Sequence, residues 1–480
     1  MPSEKLQQLQ DAILAGNIPQ LVLNTISYAL DSRSSDIHIE PLEHTVRVRY
    51  RIDGVLRQIV EYPTNIHPAV ASRVKIMSNL KIDEQRIPQD GRSSVSTRDG
   101  REMDLRISTL PTVNGEKIVM RIQDKSRKIP NLDKLGLEGN SLKFIADSIK
   151  QPNGIILNTG PTGSGKTTTL YSILSDLNKP EVNILTIEDP VEIQMDGLNQ
   201  SQVHPDINYT FAFGMRTGLR QDPDIIMVGE IRDKETVDTA IEASLTGHLV
   251  FSTIHTNSAV ETLTRIDNMG VQPFLMASSI ECIIAQRLVR KICEHCRVEE
   301  EVDPHLLEHV KLVSGKIHKS EGVDPALLQG LKFYRGQGCE KCDNVGYSGR
   351  VGLYEVMKMN NELRRAVLKR TSALEIEDIA IRTGMITLEQ SGIIKALKGE
   401  TSLNEVYRVA RKMEDADVRT ASEPPAEQAP AEPEPQPEPE PEQNPVNQLI
   451  AEAGVPGEPA KPKPQAGVPG EPANPEQPTT

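Results

Sequence analysis

One loop motif dominates this sequence: Gly160-Pro161-Thr162-Gly163-Ser164-Gly165-Lys166-Thr167-Thr168. From Gly160 to Thr167 it matches the pattern G-x-x-x-x-G-K-[ST] at every fixed position. An apolar run precedes it and a helical pattern follows it, so the motif lies between a strand and a helix. In such a loop, backbone N–H groups converge on phosphate oxygens and the helix N-terminus adds positive potential. The motif therefore predicts a nucleoside triphosphate site, in which Gly160 to Thr168 contact the nucleotide, Lys166 supplies a cation and Thr167 offers a hydroxyl to Mg²⁺.

Acidic and histidine residues follow the next three predicted strands. The first strand runs into Glu188, the second is followed by Glu230, and the third leads to His255. The carboxyl ends of parallel strands meet at the edge where α/β sheets bind their ligands. A carboxylate there can hold the metal ion or polarise the attacking water, and a neutral imidazole can contact the terminal phosphate. We therefore expect Glu188, Glu230 and His255 to be catalytic. The predicted strands are Asn183–Ile187, Asp224–Val228 and His248–Ile254.

Two arginines near the second of these strands are candidates for stabilising the charge that develops in phosphoryl transfer. Arg220 precedes the strand, and Arg232 lies two residues after Glu230. The sequence does not choose between them, so both are retained as candidate catalytic residues.

Four of the five cysteines form two C-x-x-C pairs. Cys293 and Cys296 are separated from Cys339 and Cys342 by 42 residues. If the intervening segment loops out, the four thiolates can surround a tetrahedral Zn²⁺, and four protein ligands leave no position for a water, so the metal would be structural. His295 is the one plausible substitute ligand. The alternative, two disulfides, would need an oxidising compartment.

The apolar period changes along the chain and predicts four segments. Residues 1–31 show helical spacing, residues 32–125 mix alternating strand patterns with one helix, and residues 126–412 alternate strands with helices around a mostly parallel sheet. In the third segment, the pattern Phe274 to Leu288 predicts a helix that carries Cys282 as a free core cysteine. Half of the prolines, 17 of 34, and no aromatic residue lie in residues 413–480, so this tail is expected to be disordered.

The net charge is a property of that tail. From Met413 onward there are 14 acidic and 3 basic residues, which gives −11, so the rest of the chain carries −3 of the total of −14. The near-neutral body gives no electrostatic indication of nucleic-acid binding. Because the chain shows neither a signal-peptide pattern nor about 18 uninterrupted apolar residues, we expect a cytoplasmic protein without a membrane span.

In its ordered motifs the chain resembles the GspE/PilB family of secretion and pilus-assembly ATPases, from about Ser32 to Lys412. The motifs that carry the resemblance, besides the phosphate loop, are Thr186–Glu192, Arg220–Asp233, Gly247–Asn257, Ser35–Pro41, Arg86–Arg92 and Ser108–Glu116. The resemblance implies an α/β fold in which a PAS-like α+β domain precedes a RecA-like ATPase domain with a zinc-binding element at about 290–345. It also implies that Arg92, Arg106 and Arg121 approach the nucleotide, if need be across a subunit boundary.

The resemblance further implies a homohexamer that hydrolyses ATP with Mg²⁺ and docks on an inner-membrane platform protein, at the cytoplasmic face of that membrane. The tetracysteine element is found in assembly motors and is missing from retraction motors. Type IV pilus extension is the first hypothesis and a type II secretion motor the alternative, since both share every motif quoted. Two other hypotheses remain at this stage: a RecA-like motor that translocates nucleic acid, and a regulatory scaffold whose ring shape is set by nucleotide.

Overall fold

The chain forms two large β-sheets of different kinds, one antiparallel and one mostly parallel. The computed structural model describes residues 4–96, 102–124 and 129–410. The tail for which the sequence predicts disorder, residues 413–480, lies outside these residues. The helices are α1 (Glu4–Leu14), α2 (Ile18–Asp31), α3 (His67–Met77), α4 (Gly139–Ser148), α5 (Lys166–Leu177), α6 (Phe211–Gly218), α7 (Lys234–Leu245), α8 (Ala259–Asn268), α9 (Pro273–Ser279), α10 (Pro304–Gly315), α11 (Pro325–Gly330), α12 (Asn361–Leu368), α13 (Ala373–Arg382), α14 (Leu388–Leu397) and α15 (Leu403–Ala410).

The strands, in chain order, are β1 (Ser34–Pro41), β2 (Thr45–Ile52), β3 (Val55–Pro63), β4 (Gln89–Ser96), β5 (Glu102–Thr112), β6 (Gly115–Asp124), β7 (Gly154–Thr159), β8 (Ile184–Glu188), β9 (Asn199–Gln202), β10 (Ile225–Val228), β11 (Leu249–Ile254), β12 (Ile280–Ile292), β13 (Arg297–Glu300), β14 (Phe333–Gly336) and β15 (Tyr347–Lys358). Among the described residues, no helix combines the length and the apolar character that a membrane crossing requires.

The N-terminal sheet is antiparallel and has the strand order β3-β2-β1-β6-β5-β4. Its strands alternate, so one face is apolar and packs under the helices α1 to α3. Val48, Leu105 and Met120 of this face share a core with Leu21 and Ile26 of α2. The opposite face carries the charged residues of the same strands and is free to take part in a site.

The second sheet has the order β15-β12-β7-β11-β10-β8-β9 and is parallel from β12 to β9. Its central strands are buried on both faces, which explains why they read as continuous apolar runs. Ile155 and Leu157 of β7 belong to one core, and Ile156 between them belongs to the core on the other face. Because β7, β8, β10 and β11 run in one direction, the segments that follow them meet at a single edge.

The expected helix from Phe274 to Leu288 is wrong beyond Ser279. Helix α9 ends there, and β12 continues the chain as a strand that lies parallel to β7 and antiparallel to β15. Almost every side chain at the start of β12 is buried. Burial on both faces removes the period by which a strand is distinguished from a helix, so the apolar spacing misleads here. Cys282 is nevertheless a free and fully buried core cysteine, as predicted.

A hairpin of the antiparallel sheet touches the parallel sheet. Asp53, in the turn between β2 and β3, accepts a hydrogen bond of 3.0 Å from the backbone N–H of Gly349. The Nε of Arg350 lies 4.0 Å from the other oxygen of the same carboxylate. The first residues of β15 are therefore held against the N-terminal sheet.

Candidate nucleotide site

The loop between β7 and α5 has the backbone that its sequence predicts. Gly160, Gly163 and Gly165 have φ angles of +151°, +80° and +90°, which disfavour residues with a β-carbon. Lys166 begins α5 and is 8% exposed, and its Nζ donates to the carbonyls of Gly160 at 2.8 Å and Pro161 at 3.2 Å. Burial lowers the pKa of Lys166, while the nearby Glu230 opposes that shift. Among the described residues, this buried ammonium group donates only to carbonyls of its own loop.

The other residues of the loop differ in exposure. Pro161, Thr162 and Thr168 are exposed, and Thr167 is half-buried. Ser164 is buried, and its Oγ has no hydrogen-bond partner within the described part of the chain. An orphaned hydroxyl next to a buried ammonium group is the environment that a phosphate oxygen would satisfy.

Two residues of β12 form the floor of this loop, and sequence reasoning missed both. Gln286 is 2% exposed and its Oε1 accepts hydrogen bonds from Asn158 of β7 at 3.2 Å and from Thr169 of α5 at 2.9 Å. A β-carbon on Gly165 would lie 2.9 Å from Nε2 of Gln286. Arg287, the next residue, is 9% exposed and lies against the start of the loop. The signal in the sequence was a polar pair inside an otherwise apolar run.

Glu230 lies at the edge where the parallel strands end. Its carboxylate contacts the guanidinium of Arg232 and lies 3.3 Å from Nε2 of His255. The side chain of Glu230 is 14% exposed and that of His255 is 50% exposed. A cavity of about 230 Å³ opens here, and Arg265 of α8 contributes to its wall. The structure therefore brings together Lys166, Glu230 and His255, which the sequence proposed as parts of one site.

His248 and Thr256 lie at opposite ends of β11. His248 precedes the strand and its Nδ1 lies 2.9 Å from the carbonyl of Ala243, at the edge away from the phosphate loop. Thr256, after the strand, exchanges hydrogen bonds with Thr159 of β7, and the hydroxyl-to-hydroxyl distance is 2.7 Å. The Thr256 hydroxyl thus ties the end of β11 to the end of β7.

Glu188 is buried at the end of β8 and is enclosed by hydrogen-bond donors. It is 3% exposed, and its carboxylate accepts hydrogen bonds from Tyr171, from Thr186 at 2.6 Å and from Gln200 at 3.1 Å. Burial raises the pKa of Glu188 although these donors oppose it. The catalytic role that the sequence assigns to Glu188 stays a prediction, since the structure surrounds its carboxylate with residues of the core.

The remaining candidate arginines of this domain lie in different places. Arg232 is 65% exposed at the side chain and pairs with Glu230, which raises the pKa of the guanidinium. Arg220 is exposed and donates to the carbonyl of Arg216 at 2.9 Å, within its own helical turn. Only Arg232 of the two is thus shown in contact with a candidate catalytic residue.

The three arginines of the N-terminal sheet form one row. Arg92 pairs in register with Arg106, and Arg106 pairs with Arg121, on the adjacent strands β4, β5 and β6. The row ends at Asp36 of β1, whose carboxylate accepts a hydrogen bond of 3.0 Å from Nε of Arg121. A cavity of about 490 Å³ lies over these residues. Two carboxylates, Asp36 and Asp90, and the three arginines line this cavity, so cations outnumber carboxylates in its lining.

This row lies close to acidic residues of the second sheet. Burial and the neighbouring Arg92 lower the pKa of Arg106, whereas Glu192 and Asp189 oppose that shift. Both carboxylates are exposed and belong to the segment that follows β8. Glu192 also acts on the pKa of Lys166. The exposed carboxylates of this segment, rather than Glu188, therefore face both groups of cations.

The four paired cysteines converge on one point. Their sulfurs all lie within 4.8 Å of one another, and the separations are 3.9 Å for Cys293 and Cys339, 3.8 Å for Cys296 and Cys342, and 3.7 Å for Cys339 and Cys342. Zn–S distances of about 2.3 Å in a tetrahedron imply sulfurs about 3.8 Å apart. The four thiols therefore fit a tetrahedral zinc ion, and all are free cysteines.

Backbone donors support this arrangement. The N–H groups of Cys339 and Gly346 each donate to the sulfur of Cys342 at 3.2 Å. Burial raises the pKa of Cys342, but these donors outweigh it and bring the pKa down to about 7. Hydrogen bonds of this kind stabilise thiolates as metal ligands.

The family model for type II/IV secretion system proteins matches residues 11–408 of this chain. The chain belongs to this family. It is similar to the type IV pilus assembly ATPase PilB of Thermus thermophilus, with 48% identity over 396 residues that cover 82% of this chain and 43% of the relative. It is also similar to the type II secretion system protein E of Aeromonas hydrophila, with 43% identity over 413 residues that cover 85% of this chain and 79% of the relative. The chain thus spans less than half of the Thermus relative and about four-fifths of the Aeromonas relative.

The fold is also similar to that of a solved structure. The structure of the ATPase DotB of Legionella pneumophila is similar with a TM-score of 0.57 and 21% identity, over 80% of this chain and 94% of that one. At this level of identity the likeness concerns the fold alone. It confirms the predicted α/β class.

Proposed function

We propose that this secretion-family chain is an ATPase that drives the assembly of a filament of pilin subunits. The observation that carries the proposal is the arrangement at one edge: Lys166 is buried in an intact phosphate loop, near enough to Glu230 for that carboxylate to act on its pKa, and Glu230 contacts His255 and Arg232. Phosphoryl transfer requires little covalent chemistry and depends on positioning and charge. The residues at this edge could provide both the positioning and the charge.

Each residue has a task in this proposal. The N–H groups of the loop and Lys166 bind the phosphates, and Glu230 orients and polarises the attacking water. His255 holds the Glu230 carboxylate from one side, and the exposed Arg232 offers charge to the transferred group. Mg²⁺, which Thr167 would help to hold, neutralises phosphate charge when bound. Arg92, Arg106 and Arg121 would approach the nucleotide from the N-terminal sheet.

The tetracysteine site is proposed to hold a structural Zn²⁺. Because the four sulfurs have tetrahedral spacing and the cluster contains no fifth ligand among the residues that the structure describes, the metal would stabilise the segment between β12 and β15. It would take no part in hydrolysis.

We further propose the division of the chain into residues 1–31, 32–125, 126–412 and 413–480. The separate cores of the two sheets support the boundary between the second and third segments, whereas α1 and α2 of the first segment pack in the same core as the second. As in the sequence hypothesis, the active form would be a homohexamer that docks on a platform protein at the cytoplasmic face of the inner membrane.

Two substitutions test the ATPase. Lys166→Ala removes the buried cation, so we expect nucleotide binding and turnover to fall to background, measured with a fluorescent ATP analogue and by phosphate release. Glu230→Gln keeps the shape but not the charge, so binding should persist while turnover falls by about 10² or more. Unchanged hydrolysis in Lys166→Ala would refute the nucleotide site.

The type of machine is tested in the organism that encodes the chain. The PilB relative is 48% identical and the secretion relative 43% identical, which favours pilus extension, with type II secretion as the alternative. After deletion of the gene, we expect surface pili to disappear and to return with the wild-type chain but not with Lys166→Ala. Normal piliation together with loss of a secreted enzyme would assign the chain to secretion instead.

A further inference from the structure

Arg287 is a buried cation whose charge no carboxylate neutralises at ion-pair distance within residues 4–96, 102–124 and 129–410. It is 9% exposed, and its guanidinium donates to carbonyl and amide oxygens only. Burial lowers the pKa of Arg287, and the carboxylates that oppose the shift, Glu355 and Glu261, act from beyond ion-pair distance. A buried cation that lacks a charged partner is costly, so its retention calls for an anion or for a positional task.

The guanidinium lies directly beneath the phosphate loop. A β-carbon on Gly160 would be 3.2 Å from Nη1 of Arg287 and 2.5 Å from the carbonyl of Gln286, to which Nη1 donates at 3.0 Å. Arg287 also lowers the pKa of Lys166, so the two cations are close enough to repel each other. Polyphosphate on the loop would relieve this repulsion.

The other end of the guanidinium forms hydrogen bonds with the segment after β11. Nη2 of Arg287 donates to the backbone oxygen of Asn257 at 3.0 Å and to its side-chain oxygen at 3.2 Å. Two residues earlier, His255 lies 3.3 Å from Glu230. One planar group therefore contacts both the loop that would bind phosphate and the segment that places a histidine beside the candidate catalytic carboxylate.

We propose that Arg287 is a positioning residue that couples phosphate on the Gly160 loop to the placement of His255 beside Glu230, acting through Asn257. This proposal rests on the proposed ATPase function. It separates two effects of Arg287: its charge favours phosphate binding, and its forked hydrogen bonds to Asn257 serve turnover. Lysine can reproduce the first effect but not the second, because an ammonium group lacks the planar fork.

The test uses the full chain and four variants. We expect Arg287→Met to weaken binding of a fluorescent ATP analogue by about tenfold and to reduce turnover further. Arg287→Lys should bind within about threefold of wild type but turn over at least about tenfold more slowly. Asn257→Ala, at an exposed position, should bind normally and lose turnover severalfold, since only one of its two acceptors is removed. Arg290→Lys is the matched control, because Arg290 lies on the same strand but pairs with Glu405 on α15.

Two results would overturn the proposal. One is wild-type affinity and turnover in Arg287→Met. The other is a loss of affinity and turnover in Arg287→Lys in equal proportion, together with a lower melting temperature. An arginine with a purely structural role would give this result, and Arg290→Lys would then give it too. Failure of the ATPase function itself is distinguishable, because the wild-type chain would then hydrolyse no ATP. In that case nucleotide affinity alone would test the role of Arg287, and equal affinity in wild type and Arg287→Met would overturn it.

Discussion

At the scale of single residues, the acidic residues at the end of β8 and just after it differ in burial. Glu188 is enclosed by three donors, whereas Asp189 and Glu192 are exposed; both act on the pKa of Arg106, and Glu192 also acts on that of Lys166. The sequence could show that acids follow a strand end. It could not show which of them turns inward, because Tyr171 and Gln200, which fix Glu188, come from other parts of the chain.

Glu188→Gln is expected to affect stability more than chemistry. The amide loses one acceptor toward its three donors, so we expect a loss of about 1–3 kcal/mol in the free energy of unfolding. Chemical denaturation measures that loss, and phosphate release should stay within a few-fold of wild type for the protein that remains folded. A turnover defect as deep as that of Glu230→Gln, with unchanged stability, would instead exchange the roles of the two carboxylates.

The same residue predicts a pH dependence. Burial raises the pKa of Glu188 in the native state, so the native chain holds this proton more tightly than the unfolded chain. The resulting stability is complete below the unfolded pKa, near 4.3, and is lost as pH rises through the native value. The free energy of unfolding of wild type should therefore decline relative to that of Glu188→Gln as pH is raised from about 4.5 to 8. A constant difference over that range would contradict the raised pKa.

At the scale of elements, the sequence predicts the strands that carry the phosphate edge and fails at β12. The strands β7, β8, β10 and β11 are short apolar runs followed by chemically distinctive residues, so both their type and their common edge could be inferred. β12 follows a true helix without a turn signal and is buried on both faces, so its period is lost. That failure also concealed Gln286 and Arg287, because a floor beneath the loop exists only once β12 lies beside β7.

The segment that joins β12 to β15 is predicted to depend on zinc. Removal of the metal with a chelator, or Cys339→Ser, leaves the remaining thiolates without the zinc ion that would neutralise them. We therefore expect the melting temperature to fall and the metal content to drop below one zinc per chain. Binding of a fluorescent nucleotide at a temperature where the chain stays folded should change little, since the cysteines follow the end of β12, whereas Gln286 and Arg287 are held within the sheet by pairing with β15. Cys282→Ala is the control, because it removes a buried cysteine that is no ligand; a metal-free chain of wild-type stability would refute the zinc site.

At the scale of the whole molecule, the two sheets meet with opposite charges. The antiparallel sheet presents the row Arg92, Arg106 and Arg121, and the parallel sheet presents Asp189 and Glu192 after β8. The arginines are aligned by the register of three consecutive strands, and the two carboxylates belong to one short segment after β8, so composition could not reveal that the two sets lie close together. The resemblance alone allowed these arginines to act across a subunit boundary, whereas in this structure Arg106 lies close enough to Asp189 and Glu192 of the same chain for them to act on its pKa.

The proximity within one chain predicts how mixed assemblies behave. We expect Arg106→Gln and Glu230→Gln each to abolish most turnover. When the two variants are co-expressed with different tags and purified as mixed assemblies, every subunit carries a defect if Arg106 serves its own nucleotide, so phosphate release should stay at background. If Arg106 instead served a neighbour, an Arg106→Gln subunit beside a Glu230→Gln subunit would have a complete site, and about a quarter of the sites would recover in a symmetric ring. Wild type mixed with Glu230→Gln provides the control that mixing itself permits turnover, and recovered hydrolysis in the double mixture would place the arginine row in the adjoining subunit's site.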